Sequence, residues 1–417
     1  MPNLALSTLL ALALATAQAP AQERASWVEC TPTTVAFDGG APVPAANPIA
    51  QALERAEPGC RIELSTGDYP AFRINFGRGA DNAETSGGTK HQPIVVNGGP
   101  GVRVRAPKGG DTLAITQRSP VGHITFQGIE FEPSYRTAII FYRVDEGQAH
   151  RGFRFIDCDI LGGWDHVRDQ GQTSKWGVSG QGLADFEWIG RTRPSVIRDI
   201  RREHAFYLQN PAGDITIENV EAKRLGRTFV QFTSRAKEGR PGTGTITVRN
   251  CKVSDACIAA GDAYKGGSAF TISGNSPKAT FVFEGNSYRA GFDPRLRGLT
   301  REGVPYGTGA FVAWSEGEST RNGTLILRDN DFRMAEGCGE RPLVSIGACE
   351  EVRLEGDNRF VAGAWGVALA LDPPKRVGVP EPLPNKRVLV VDLPNLTGRL
   401  ELRGKTASAA DRTKLGL

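Results

Sequence analysis

The sequence predicts an all-β solenoid, a parallel β-helix, in which short strands stack coil upon coil. The first observation is a recurring phrase in which apolar residues alternate, then Asn, Asp or Cys follows, then another apolar residue. Its clearest copies are DITIENV at 214–220, TITVRNCKV at 245–253, TFVFEGNSY at 280–288, TLILRDNDF at 324–332 and VRLEGDNRF at 352–360. Such self-similarity is the sequence signature of a repeat architecture.

A second kind of short strand lies between successive copies of this phrase. Its members are AFYL at 205–208, TFVQF at 228–232, AFTI at 269–272, AFVAW at 310–314, LVSI at 343–346 and VALAL at 367–371. Equivalent residues are 31 positions apart from Ile217 to Val248 and 35 apart from Val248 to Phe283, which suits one turn of a parallel β-helix. No helix-period segment separates the strands, whereas a βαβ crossover needs one. The pattern therefore favours stacked coils over a doubly wound sheet.

Polar residues mark the corners of these coils. Four asparagines follow the strands in successive copies: Asn219, Asn250, Asn286 and Asn330. An inward Asn at a corner can hydrogen-bond the backbone of neighbouring coils, as stacked identical residues do in ladders. We expect these four to form one ladder, with Cys158 and Cys251 as buried thiols.

Length and terminal composition divide the chain into three parts. A solenoid of 417 residues grows by adding coils rather than by splitting into domains. The apolar run at 4–19 is too short to span a bilayer and ends in small residues that suit a cleavage site. We expect a signal peptide at 1–21, a β-helix domain at 26–371, and a Pro-rich segment, last rung and C-terminal cap at 372–417. The protein would then be secreted or periplasmic; an uncleaved N-terminal anchor is the alternative.

The chain contains seven cysteines, an odd number, and disulfides form in an oxidising compartment. We expect disulfides between Cys30 and Cys60 and between Cys338 and Cys349. The sequence contains no Cys-x-x-Cys pair, which argues against a zinc site.

Positive charge is concentrated in one segment. The net charge is +4, yet residues 191–240 alone hold 11 Lys and Arg against 6 Asp and Glu. This excess indicates either an anionic partner or a solvated face. The sequence shows no nucleic-acid-binding module and no later segment of membrane-span length. We therefore expect no nucleic-acid or membrane partner, and a monomer.

The N-terminal region carries the signals of a capping helix. Asn47 and Pro48 are helix-start residues, and Ile49 and Leu53 fall on one face of the helix that would follow. A solenoid needs such a cap because its end coil exposes the core.

The phrase LERAEPGCRIELSTGDY at 53–69 resembles the start of proteins in the pectate-lyase-like superfamily, in particular the alginate lyase and chondroitinase B group. The resemblance extends at the level of fold over residues 45–370 and implies a right-handed parallel β-helix with an N-terminal capping helix. The catalytic Lys and Arg motifs of that group have no counterpart that we can place on this chain, and the polygalacturonase signatures are missing. The resemblance therefore implies a fold and no named activity.

An insertion at 161–204 interrupts the regular coils and is the predicted functional segment. It holds three of the six tryptophans: Trp164, Trp176 and Trp188. Flat aromatic faces stack on sugar rings, so we expect these residues to contact substrate. The other predicted binding residues are Lys175, Gln209 and Gln231. The alternative is that the tryptophans pack the insertion onto the barrel.

The candidate catalytic residues lie where this insertion ends. If Phe206 and Leu208 face inward, Tyr207 faces outward beside His204. Cleavage of a uronic-acid polymer by β-elimination needs a base, an acid for the leaving oxygen, and a cation that neutralises the carboxylate. We predict His204 as the base and Tyr207 as the acid; the alternative is that His204 only hydrogen-bonds a corner. The predicted carboxylate-binding residues are Arg202, Arg227 and Arg235.

Other functions stay open beside a lyase acting on an acidic polysaccharide. A glycoside hydrolase would use paired carboxylates, for which the chain offers Asp185, Glu187, Asp199 and Glu203. A non-catalytic carbohydrate-binding or cell-surface protein is the third possibility. We expect no cofactor, although calcium is an option at Asp157, Asp159, Asp165 and Asp169.

Overall fold

A computed structural model provides the fold. It describes residues 27–30, 47–74, 86–107, 110–115, 120–134, 136–143, 148–163, 176–201, 203–234, 244–258, 268–274, 276–291, 309–315, 317–336, 338, 341–373, 383–392 and 394–415.

Three long parallel sheets give the chain the architecture of a right-handed parallel β-helix, as predicted. Sheet A stacks 12 strands: β1 (Trp27–Cys30), β2 (Arg61–Leu64), β6 (Ile94–Asn97), β10 (Ile124–Gln127), β14 (Arg154–Ile156), β18 (Phe186–Ile189), β21 (Ile215–Glu218), β24 (Thr245–Arg249), β27 (Thr280–Glu284), β30 (Asn322–Arg328), β33 (Cys349–Glu355) and β36 (Arg387–Val390). Sheet B stacks 11: β3 (Gly67–Pro70), β7 (Val102–Arg105), β11 (Glu130–Glu132), β15 (Asp159–Leu161), β19 (Ser195–Ile200), β22 (Val220–Leu225), β25 (Lys252–Ser254), β28 (Ser287–Ala290), β31 (Asp331–Met334), β34 (Arg359–Val361) and β37 (Asn395–Thr397).

Sheet C forms the third side of the solenoid. Its 12 strands are β4 (Phe72–Ile74), β8 (Leu113–Ile115), β12 (Thr137–Phe141), β16 (Trp176–Gln181), β20 (Phe206–Gln209), β23 (Val230–Thr233), β26 (Phe270–Ser273), β29 (Phe311–Trp314), β32 (Val344–Ile346), β35 (Val367–Leu371), β38 (Arg399–Leu402) and β39 (Lys405–Thr406). A short sheet D joins β5 (Ser86–Gly87), β9 (Val121–Gly122), β13 (His150–Arg151) and β17 (Leu183–Ala184).

Each coil contributes one strand to each of sheets A, B and C. Coil 1 is β2–β4, coil 2 is β5–β8, coil 3 is β9–β12, coil 4 is β13–β16 and coil 5 is β17–β20; the later coils are β21–β23, β24–β26, β27–β29, β30–β32, β33–β35 and β36–β38, numbered 6 to 11. The pairings between coils are parallel, and they stay in register apart from a shift between Val367 and Leu369 where β35 pairs with β38, so inward side chains stack on their equivalents. Phe126, Phe155 and Trp188 form one such stack, with ring centroids 5.1 and 4.9 Å apart.

An asparagine ladder exists, but its members differ from those predicted. The buried Asn286, Asn330 and Asn358 are linked: the backbone N–H groups of Asn286 and Asn330 donate to the side-chain oxygen of the next Asn, each at 3.1 Å. Cys251 occupies the same position one coil earlier, where its backbone N–H donates to Asn286 Oδ1 at 3.0 Å.

Asn219 and Asn250 lie one residue earlier in the corner and do not join the ladder. They have φ of 52° and 55°, the left-handed conformation that Asn tolerates better than most residues. In coil 8 Gly285 takes that position with φ 63°, which moves Asn286 inward.

The capping helix α1 (Pro48–Arg55) begins as predicted. Asn47 Oδ1 accepts hydrogen bonds from the backbone N–H groups of Ile49 and Ala50, both at 3.1 Å. Ile49 and Leu53 are buried against the first coil. At the other end β39 pairs antiparallel with β38, and helix α2 (Ala409–Lys414) follows with a capping box between Ser408 and Asp411.

Neither predicted disulfide fits the structure. Cys30 pairs with Leu64, so it lies four positions, or about 13 Å, from the level of Cys60, whereas bridged Cα atoms lie within about 7 Å. Cys349 is a buried free thiol that donates to Gly347 O, so it is not bridged to Cys338. Cys158 and Cys251 are buried as predicted, and burial raises the pKa of each thiol to about 12.

The predicted signal peptide at 1–21 lies outside the described residues. Within those residues no helix is both long and apolar enough to cross a membrane. The predicted last rung corresponds to coil 11, followed by the β39 and α2 cap.

Candidate active site

The outward face of sheet C displays the predicted site residues. In β20 Phe206 and Leu208 are buried, so Tyr207 and Gln209 point outward and are partly exposed. The pairing of strands places Ser179, Tyr207 and Gln231 in one row across coils 4 to 6. The period-two prediction is therefore correct for Tyr207, Gln209 and Gln231.

Three aromatic rings meet at the start of these strands. The Tyr207 and His204 rings are stacked, with centroids 4.9 Å apart and planes 16° apart. The Trp176 ring lies 5.5 Å from the His204 ring and 5.2 Å from the Tyr207 ring. The register explains the contact: Val178 pairs with Phe206, which brings Trp176 to the level of His204 one coil later.

The His204 imidazole is held on both sides. Its Nδ1 hydrogen-bonds Thr228 Oγ1, and its Nε2 lies 3.5 Å from Glu203 Oε2. A carboxylate only accepts, so this arrangement favours the tautomer with the proton on Nε2 and the Thr228 hydroxyl donating to Nδ1. Burial, and secondly the charge of Arg227, lower the pKa of His204 well below its usual value of 6.5, so the ring is neutral at pH 7.

Burial argues against the predicted role of His204 as the base. The side chain is 1% exposed and both ring nitrogens face protein groups, so a substrate on the outside of sheet C does not reach them. Tyr207 differs, because it is partly exposed and its hydroxyl forms no hydrogen bond with the residues that the structure describes. Of these two residues, Tyr207 is therefore the one that a ligand outside sheet C can reach.

Arg227 lies beside this cluster in an ion pair. Its Nη1 donates to Glu203 Oε2 at 2.6 Å, and the two side chains are 20% and 22% exposed. Glu203 thus contacts both Arg227 and His204 and fixes the cation next to the aromatic cluster. The other two predicted cations, Arg202 and Arg235, lie outside the described residues, as do Trp164 and Lys175.

Trp188 is not a substrate-binding residue, which corrects the prediction. It is fully buried on the inner face of sheet A, stacked between coils on Phe155. Its indole N–H donates to Ser195 Oγ at 2.8 Å, and Ser195 in turn bonds Cys158 O. Within the predicted insertion at 161–204, the segment from Trp176 to Ile200 forms β16 to β19 of the regular coils, so Trp188 belongs to the barrel itself rather than to an insertion packed onto it.

The carboxylates of the hydrolase alternative do not share one face. Glu187 lies on sheet A, where Arg154 Nε donates to it at 2.6 Å, and Asp185 precedes the same strand. Asp199 lies on sheet B, bonded to Arg224 at 2.5 and 2.7 Å, while Glu203 lies at the corner before sheet C. These four residues therefore provide no pair flanking one groove.

Two of the proposed calcium ligands already have other partners. Asp157 accepts from the backbone N–H groups of Arg191 and Thr192, at 2.5 and 2.9 Å. Asp159 accepts from Arg193 and from the Val196 N–H. Asp165 and Asp169 are outside the described residues, and the part of the chain that is described contains no metal-binding group of three or more His, Cys, Asp or Glu.

Sequence reasoning missed Thr228 and the positioning role of Glu203. Thr228 begins the strand TFVQF, one coil after His204, so alignment of the two strands would have placed the hydroxyl beside the imidazole. No comparable signal exists for Glu203, since the direction of a corner residue does not follow the alternation of a strand.

Comparison with known proteins adds little to this picture. No protein-family model matches the sequence, and no curated protein does. One similar solved structure is the crystal structure of alginate lyase from Paenibacillus sp. str. FPU-7, which is 13% identical with a TM-score of 0.43 over 78% of this chain and 99% of that chain. A likeness of this size does not identify a family, and the fold assignment stands on the three parallel sheets of the chain itself.

Proposed function

We propose that the protein is an exported lyase that cleaves a uronic-acid-containing polysaccharide by β-elimination, with Tyr207 transferring the proton. The observation that carries the proposal is the Tyr207 hydroxyl, which is accessible and unbonded among the described residues while its ring is fixed against His204 and Trp176. A fixed ring with a free hydroxyl suits proton transfer to a bound substrate.

The chemistry needs one proton to move and one bond to break. A base removes the proton next to the uronate carboxylate, the electron pair forms a carbon–carbon double bond, and the bond to the leaving sugar oxygen breaks. Tyr207 as the phenolate can take that proton and, as the phenol, return it to the leaving oxygen. One residue then serves as base and acid on one face of the sugar, which replaces the predicted division between His204 and Tyr207.

Arg227 supplies the positive charge that this reaction requires. The carboxylate must be neutralised so that the developing enolate is stabilised. A guanidinium has five N–H donors, so Arg227 can bond Glu203 and a substrate carboxylate together. Arg202 and Arg235 remain proposed as further carboxylate contacts on grounds of sequence. In this scheme arginine, rather than calcium, neutralises the substrate carboxylate, so no cofactor is proposed.

Neutral His204 positions Tyr207 rather than reacting itself. Its ring stacks on the tyrosine ring, and Thr228 and Glu203 hold it in place. Substrate would lie over coils 4 to 6, against Trp176, Gln209 and Gln231, with Trp164 and Lys175 proposed from their place just before Trp176. We propose a monomer, secreted or periplasmic after cleavage of residues 1–21.

One observation favours a non-catalytic carbohydrate-binding protein as the second candidate. The row that contains Tyr207 continues as Gln231, Thr271, Val312 and Ser345, which offers amides and hydroxyls but no second proton-transfer group. Such a row can bind sugar hydroxyls without cleaving them.

The reaction class is tested by incubating the protein with alginate, pectate, chondroitin sulfate and hyaluronan. The proposal predicts near-ultraviolet absorbance from an unsaturated uronate with at least one polymer, undiminished by a chelator. New reducing ends without absorbance would replace the lyase by a hydrolase. Polymer binding with neither signal would favour the non-catalytic candidate.

A further inference from the structure

We propose that Trp314 forms a second sugar-binding subsite, three coils beyond Tyr207, which holds the same polysaccharide by stacking and hydrogen bonds rather than by charge. The inference rests on the proposed function insofar as the ligand is the polymer that Tyr207 cleaves. It goes beyond that function because it assigns a minimum substrate length and a different kind of binding force to a separate part of sheet C.

Trp314 is presented on the outer face of sheet C. In β29 Phe311 and Ala313 are buried, while Val312 and Trp314 point outward and are partly exposed. The indole N–H of Trp314 forms no hydrogen bond within the described part of the chain, in contrast to that of Trp188. A partly exposed indole with a free donor can stack on the apolar face of a sugar and also bond one of its hydroxyls.

The register places Trp314 in the row of Gln209, next to the row that contains Tyr207. Gln209, Thr233, Ser273 and Trp314 pair in succession across β20, β23, β26 and β29. Three coil spacings of 4.7–4.9 Å separate Trp314 from the coil of Tyr207, about 14 Å along the axis. A pyranose in an extended chain is about as long as one coil spacing, so a tetrasaccharide along the axis is the shortest ligand that reaches both residues.

The face between the two sites is lined by small polar residues. Thr271 and Ser273 of coil 7 are only 4% and 7% exposed, and they lie between the larger Gln231 of coil 6 and Trp314 of coil 8. Both hydroxyls are bonded locally, Thr271 to Ser268 O at 3.1 Å and Ser273 to Gln231 Nε2 at 3.2 Å. These short, fixed side chains therefore leave room for a polysaccharide to lie across this part of sheet C.

Charge is missing from this strip. The outward positions of β20, β23, β26 and β29 hold only Tyr, Gln, Thr, Ser, Val and Trp. Contacts here would be stacking and hydrogen bonds, which salt screens little, whereas a contact between Arg227 and a carboxylate weakens with salt. The two ends of the bound chain would therefore respond differently to ionic strength.

The test is calorimetric binding of uronate oligosaccharides of increasing length to the wild-type protein and to Trp314→Ala. We expect the wild-type affinity to rise between the trisaccharide and the tetrasaccharide or pentasaccharide. Trp314→Ala should lose that rise, about tenfold in Kd, with disaccharide affinity and kcat on short substrates unchanged. The tenfold ratio should persist from about 0.05 M to about 0.5 M salt.

Two variants keep the test falsifiable. Trp314→Phe should retain most of the affinity, because a ring remains, and Trp365→Ala, which removes a half-exposed indole (51%) in coil 10, should have no effect on a tetrasaccharide. Equal affinities of Trp314→Ala and wild type at every length, or a difference that disappears with salt, would overturn the subsite. If binding follows the expected pattern but no polymer is cleaved, the subsite stands and the lyase proposal falls.

Discussion

The outer faces of sheets A and C present opposite kinds of surface. Sheet A carries a ladder in which charges alternate from coil to coil: Glu218, Arg249, Glu284, Arg328 and Glu355. Arg249 donates to Glu218 at 2.8 Å, and Arg328 donates to Glu355 at 2.5 Å and to Glu284 at 3.4 Å. On sheet C the Tyr207 hydroxyl and the Trp314 indole N–H, both uncharged, have no such partners among the described residues.

The difference separates side chains that complete the solenoid from those that are available to a ligand. In a parallel stack like charges in neighbouring coils repel, so a row that alternates in sign or stays uncharged avoids that cost. In this row of sheet A the charges alternate in sign, and each charged group pairs with a neighbour in the next coil. The outward positions of β20, β23, β26 and β29 in sheet C are uncharged and leave donors open, which is the reason to place the substrate there.

Tryptophan substitutions should show the largest difference in stability between the inner and outer faces of the sheets. Trp188→Ala removes a fully buried ring that stacks on Phe155, and we expect a loss of about 3–5 kcal/mol in the free energy of unfolding. Trp176→Ala, at the outward cluster, should cost about 1 kcal/mol but raise KM. Denaturant unfolding and steady-state kinetics measure the two effects. A large KM change in folded Trp188→Ala with unchanged stability would contradict the assignment.

Removing an asparagine from the ladder should have the second-largest effect on the free energy of unfolding. Asn330→Ala leaves the buried Phe283 O and the Asn286 N–H without their partner, and we expect a loss of about 2–4 kcal/mol. Asn250→Gly is the matched control, because Asn250 is exposed, has φ of 55° and stands outside the ladder. Its stability should change by less than about 1 kcal/mol. Equal losses in both variants would mean that the ladder is not a special source of stability.

Acid should destabilise the fold through His204. Its folded-state pKa lies well below 6.5, so below pH 6.5 the unfolded chain binds more protons and stability falls as pH falls. Burial also lowers the pKa of His150, so His150 adds to the loss of stability in acid. Burial beside Glu132 raises the pKa of Glu130 to about 7, so Glu130 has the opposite effect on stability between pH 4.5 and 7.

The contribution of His204 is therefore measured as a difference between wild type and His204→Gln. The melting temperature of the wild type should fall more steeply from pH 7.5 to pH 5 than that of the variant. Because both proteins contain Glu130 and His150, those groups cancel. Parallel pH profiles would show that His204 is not held neutral.

The smallest effect is expected on the charged ladder of sheet A. Arg249→Gln removes an ion pair with Glu218 in which the arginine is 44% exposed, so stability should fall by less than about 1 kcal/mol. The rate of polysaccharide cleavage should be unchanged, since the proposed substrate lies on sheet C and not on sheet A. A substantial loss of activity in Arg249→Gln would indicate that the substrate binds to sheet A rather than to sheet C.

Strand positions were predictable from the sequence because period-two alternation directly encodes burial. The repeated phrases became β21, β24, β27, β30 and β33, and the alternation placed Tyr207 on the outside correctly. Trp188 could have been placed by the same rule, because it shares the parity of Phe186, which aligns with Ile215 in the next coil.

The errors fall at corners, where that rule does not apply. A corner accepts either Asn or Gly in the left-handed position, so aligning the phrases on Asn mixed Asn250 with Asn286, which is one residue further along. His204 lies at a corner as well, and its burial depends on Thr228 and Glu203, which are brought to it by coil stacking and by the turn. Such contacts follow from the three-dimensional register rather than from local pattern.

Proton transfer by Tyr207 can be tested by a kinetic comparison of two tyrosine variants with the wild type. Initial rates of near-ultraviolet absorbance would be measured on a cleaved uronate polymer for wild type, Tyr207→Phe and Tyr142→Phe, the last removing the hydroxyl of an exposed tyrosine after β12. We expect the rate of Tyr207→Phe to fall by about 10²–10⁴-fold with unchanged folding and polymer binding, and Tyr142→Phe to keep the wild-type rate. A folded Tyr207→Phe that cleaves at the wild-type rate would contradict proton transfer by Tyr207.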